Sequence, residues 1–145
     1  MTPEGITRHL IAILSADVKD YTRLMSQDDV GTIRTLAAYK EAMRLNPNHP
    51  NWYLSGLGGA QYMAHEYEEA VETHRKMSPI GVHRAIVAAS LAQLGRMEEA
   101  RAETEKLLKE NPNFSASHWR KTQPFLHEKD RQQFVEGLIK AGLPR

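Results

Sequence analysis

Seven histidines, eighteen acidic side chains and no cysteine are what this chain offers for ligating a metal or moving a proton. The lack of cysteine excludes a thiolate nucleophile, a disulfide and a cysteine-based zinc site. The histidines stand at 9, 49, 65, 74, 83, 118 and 127. None makes the His-x3-His or His-Glu-x-x-His spacing that sets two imidazoles on one helical face. Surface or packing roles are expected for them, and no metal or other cofactor. Ser15 and His9 lack the Gly-x-Ser-x-Gly elbow that exposes a nucleophilic serine. Gly56, Gly58 and Gly59 form Gly-x-Gly-Gly, but Leu54 and Leu57 embed them in a helical pattern rather than a strand-to-helix phosphate loop. Close helix packing is their expected use. The acidic run from Glu66 to Glu72 reads as a helix start, where carboxylates meet the positive end of the helix dipole.

These residues need elements to position them, and proline marks where those elements end. Breaks fall at Asn46 to Pro50, Ser78 to Gly81, Asn111 to Asn113 and Gln123-Pro124, and Gly142-Leu143-Pro144 is a stop signal. The segments between are rich in Ala, Leu, Glu, Lys, Arg and Met, which favour helix. Ala70, Val71, His74 and Met77 share one face of a helix beginning near Glu66. Ile86, Leu91 and Leu94 mark a second, Met97 to Leu108 a third, and Phe134, Leu138 and Ile139 a last one. The fold class is therefore all-α, in antiparallel helix pairs joined by short turns. With 145 residues, 41% hydrophobic, the chain can build one core or one compact repeat array. Nineteen basic residues against eighteen acidic ones give +1, which makes no case for nucleic acid or an anionic membrane. The longest apolar run, Leu10 to Leu14, is far short of the roughly 20 residues that cross a bilayer. A cytoplasmic protein is the expectation.

An internal repeat decides more than composition. His65-Glu66-Tyr67-Glu68-Glu69-Ala70 aligns with Gly95-Arg96-Met97-Glu98-Glu99-Ala100. Leu57-Gly58 and Val87-Ala88 precede the two alanines at equal distances, and Pro112 follows the second. This pattern resembles the tetratricopeptide repeat, a helix-turn-helix unit of about 34 residues. Tyr39, Ala42 and Pro47 match the second helix of a preceding unit, so Gly31 to Asn46 is expected to be that helix. The pattern departs from the family in three places. Ala70 and Ala100 are 30 residues apart, Gln61 and Leu91 replace the usual aromatic, and the unit after Pro112 breaks at Pro124, as an atypical terminal unit would. Residues 31–145 are thus read as the repeat domain. The resemblance implies a ligand groove lined by Trp52, Ser55, Gly59, Tyr62 and Met63, then Val82, Ala85, Ala89, Ala92 and Gln93, then Phe114, Ser117 and Lys121. Ser55, Gly59, Ala85 and Ala89 replace the family's Lys/Asn carboxylate clamp, so a ligand ending in a carboxylate is disfavoured. The groove suits a helix or a hydrophobic peptide, unless the N-terminal segment or a second copy of the chain covers it.

Residues 1–30 are read separately. The run from Arg8 to Val18, then Lys19-Asp20-Tyr21-Thr22-Arg23-Leu24-Met25, resembles the opening of a class III adenylate/guanylate cyclase catalytic domain. The resemblance implies that Asp17 is the first metal aspartate. The family's second metal aspartate has no counterpart, since no Asp lies between Asp29 and Asp130, and two-metal phosphoryl chemistry needs both. The segment from Trp119 to Pro144 resembles the end of bacterial cyclases that carry a tetratricopeptide array. Leu10, Leu14, Val18, Tyr21 and Met25 also fit one helical face, so helix and strand both stay open for residues 8–18. The expected function is a protein-interaction or self-association module, possessing no catalysis of its own, whose partner is a protein or peptide, including itself as a homodimer. The alternative is a cyclase fragment that binds metal-nucleotide through Asp17 or completes a partner's active site.

Overall fold

The structure, a computed structural model, describes residues 29–77, 81–122 and 128–145. The described residues form seven helices and no strand: α1 (Asp29–Leu45), α2 (Asn51–Met63), α3 (Tyr67–Arg75), α4 (Val82–Gln93), α5 (Met97–Glu110), α6 (Ala116–Thr122) and α7 (Glu128–Lys140). The all-α class read from the sequence is what the structure shows.

Local chemistry explains the boundaries. In α1, Leu36, Tyr39 and Ala42 recur at helical spacing and are buried against α2. The helix ends at Leu45, and Asn46, the residue before Pro47, lies outside it; Pro50 sits in extended geometry at the mouth of α2. Glu68 and Glu69 occupy the first turn of α3, and Glu98 and Glu99 that of α5, as the helix dipole favours.

The aligned hexamers fold alike. Helix α2 ends with His65 in the left-handed region at φ 63°, where His65 N–H donates to Tyr62 O and Glu66 N–H to Gln61 O. Helix α4 ends with Gly95 at φ 77°, donating to Ala92 O while Arg96 N–H donates to Leu91 O. This is the glycine-type helix stop, which satisfies two orphan carbonyls. Helix α7 closes on the same pattern at Gly142, φ 97°. Ala70 and Ala100, five residues after the first two turns, are fully buried. That is the close crossing only a small side chain permits.

Each helix from α1 to α4 packs on the one that follows it, and α2 also touches α4. Glycine lets these helices approach closely. A Cβ on Gly56 would fall 2.3 Å from Tyr39 Oη, and one on Gly58 would fall 2.1 Å from the His74 ring. Gln61 accepts a buried 2.7 Å hydrogen bond from Thr73 Oγ1. Arg84 clamps α4 to α5, reaching Glu103 at 2.7 Å and Glu110 at 2.8 Å. Arg96 joins the two turns through Glu68 at 2.8 Å and Glu99 at 2.7 Å. After α5 the order changes. Helix α6 packs on α7, and α7 returns to lie along α4.

Candidate ligand groove

The residues that the repeat resemblance assigns to a ligand face come from α2, α4 and α6, and the structure divides them. Trp52, in the first turn of α2, is 38% exposed and packs edge-on against Tyr53. Ser55, one turn on, is half-buried and lies 3.3 Å from His83 Nδ1. Val82 is half-buried against the core. These three lie in the N-terminal halves of α2 and α4. Gly59, Ala85, Ala89 and Ala92 are buried in helix contacts.

The C-terminal halves are covered. Tyr62 is fully buried, and Met63 is buried beside it. The ring of Phe134 in α7 stacks on Tyr62 at 4.2 Å with planes 18° apart, and Trp119 of α6 meets Phe134 edge-on at 4.6 Å. The Tyr62 hydroxyl donates to Gln133 O at 3.3 Å, and Gln133 Nε2 reaches the Tyr67 hydroxyl at 3.3 Å. Burial pushes the Tyr62 phenol well above its ordinary pKa, so it stays a donor at any physiological pH. Gly137 makes the approach possible. A Cβ there would fall 2.3 Å from Tyr62 Oη, 3.1 Å from Ala89 Cβ and 3.5 Å from Gln93 Nε2. Thr104 Oγ1 of α5 donates to Ala141 O at 2.9 Å and anchors the far end of α7. Among the described residues, the cover over Tyr62 is the chain's own C-terminal helix, α7.

The last group lies elsewhere. Phe114 is buried, while Ser117 and Lys121 are exposed on α6. Ser117, Arg120, Lys121 and Arg131 line an open recess of about 300 Å³. Glu128 pairs with Arg120 and, at 3.4 Å, with Arg131. The recess is therefore basic but partly neutralised.

The seat of α7 was not anticipated from the sequence. Phe134 and Leu138 marked the helix, and Gly137 inside it was a local signal of close approach. Asp17 and the segment 8–18 lie outside the described residues. Among the described residues no three His, Asp or Glu side chains gather as a metal site, and no helix is long and apolar enough to cross a membrane.

Among the described residues the helices pair in succession and the last, α7, folds back over α4 and the C-terminal end of α2. No family model matches the chain, and neither does any curated protein or solved structure.

Proposed function

We propose that this chain is a protein-interaction and self-association module of tetratricopeptide type, cytoplasmic and without catalysis of its own, related to cyclases that carry such an array. One observation carries the reading. The face of α2 and α4 already holds an amphipathic helix, α7, through an aromatic stack, a glycine contact and two tyrosine hydroxyls. A surface that seats one helix by apolar burial and a few placed polar groups has the chemistry of helix-in-groove recognition. The exposed Trp52 and the half-buried Val82 extend that face beyond the part α7 covers.

The test is assembly. Light scattering of the full chain across a wide concentration range is expected to show reversible self-association, weakened by Trp52→Ala. Affinity capture on the immobilised chain is expected to enrich defined proteins. A strictly monomeric species, together with a capture that enriches nothing, sinks the reading.

A further inference from the structure

Three helices bring two imidazoles and a hydroxyl to one point. His74 of α3 lies against the backbone of α2 at Gly58, where a Cβ would meet its Cε1 and Nδ1 at 2.1 Å. Its Nδ1 is 3.0 Å from Ala70 O. A carbonyl only accepts, so Nδ1 carries the hydrogen and Nε2 keeps its lone pair. That Nε2 is buried and has no hydrogen-bond partner, on a residue with no exposed surface. His83 of α4 is half-buried, with Nδ1 3.3 Å from Ser55 Oγ of α2. The two ring centres are 5.6 Å apart with planes at 37°.

We propose that His74 and His83 form a two-imidazole site for a first-row transition cation of the zinc or copper type, with Ser55 holding His83 in orientation. Three features point there. A metal-binding histidine almost always donates its other ring N–H to a backbone carbonyl or a similar acceptor. His74 does so to Ala70, and His83 does the same when Nδ1–H donates to Ser55 Oγ, which frees its Nε2. The spacing also fits. Two imidazoles on one tetrahedral ion, with bonds of roughly 2.0–2.1 Å, have ring centres about 5 Å apart. Finally, a ligand atom is available: His74 Nε2 is buried with no hydrogen-bond partner, so its lone pair is uncommitted. A hard cation such as Mg²⁺ prefers oxygen ligands and gains nothing from this pair.

The experiment is a titration of the full chain with ZnCl₂, followed by NMR of the histidine rings and by thermal melting, with MgCl₂ as the control. Zn²⁺ is expected to move the His74 and His83 ring signals together and to raise the melting temperature, while Mg²⁺ does neither. His83→Ala is expected to weaken Zn²⁺ binding at least tenfold, and Ser55→Ala several-fold. Unmoved His74 and His83 signals overturn the proposal, as do shifts confined to His49, His65 or His118. Zn²⁺ binding unchanged in His83→Ala overturns it as well. The ring signals of the unaltered chain decide the matter even if a variant fails to fold.

Discussion

Lowering the pH from 7 to 4 should destabilise this protein through His74 more than through its carboxylates. The imidazole is fully buried, and burial is the largest influence on it. The Ala70 carbonyl acts the other way and His83 adds to the burial, for a net drop from 6.5 to about 4. In the unfolded chain its pKa returns to about 6.5. Above that value both states are neutral and His74 makes no difference with pH. Between about 6.5 and 4 the unfolded chain binds a proton that the folded chain refuses, so stability falls as pH falls. The limiting slope is about 1.4 kcal/mol per pH unit, and the whole interval is worth about 3 kcal/mol. His83 is shifted the same way by burial and steepens the loss. Glu99 and Glu110, held low by hydrogen bonds from Arg96 and Arg84, lose their contribution only at and below the ordinary carboxylate range. The two windows therefore separate. Urea unfolding followed by fluorescence of the buried Trp119 measures stability at each pH. His74→Leu keeps a similar volume without a titrating group, so its slope between pH 6.5 and 4.5 is expected to be clearly shallower than the parent's, retaining only the part that His83 contributes, whatever its absolute stability. An unaltered slope in that variant, or a flat profile in the parent chain, refutes the reasoning.

Other perturbations follow from the same contacts. Gly137→Ala sets a Cβ 2.3 Å from Tyr62 Oη, so α7 must shift. A net loss of about 1–2 kcal/mol is expected in urea unfolding despite the better helix propensity of alanine. Gly95→Ala forces a Cβ into φ 77° and should lower stability by about 1–2 kcal/mol, although the site has open space around it. His65→Gly in the equivalent turn should instead gain up to about 1 kcal/mol, less what its 2.7 Å contact with the Tyr67 hydroxyl contributes. Arg84→Met removes charged hydrogen bonds to Glu103 and Glu110 and leaves the less exposed Glu103 with Lys106 alone. Thermal melts should show a loss of about 1–3 kcal/mol.

The hairpins were legible because their determinants are local. Pro47, the left-handed turn before each Glu-Glu-Ala, and buried alanines at matching offsets each act within one or two helical turns. Gly56 and Gly58 were legible for the same reason, since glycine inside a helical pattern has few uses other than close approach. The cluster of Ser55, His74 and His83 was not legible. Its members come from three helices and share no sequence spacing, and only the tertiary fold sets one ring 5.6 Å from the other. The place of α7 was hidden for a similar reason. Its amphipathic pattern says that it packs, but not on what. The partner, Tyr62, lies 71 residues away from Gln133. This return changes what the groove can do. A helix arriving at the C-terminal halves of α2 and α4 must displace Phe134 and Gln133, and with them the Thr104 anchor. One arriving at Trp52 and Val82 displaces nothing among the described residues. In a Trp52→Phe background, where Trp119 is the remaining tryptophan, binding at the open half should therefore leave the emission unchanged, whereas binding at the covered half must expose Trp119 as α7 departs. The same ligand titration thus distinguishes occupation of a free surface from competition with the chain's own helix.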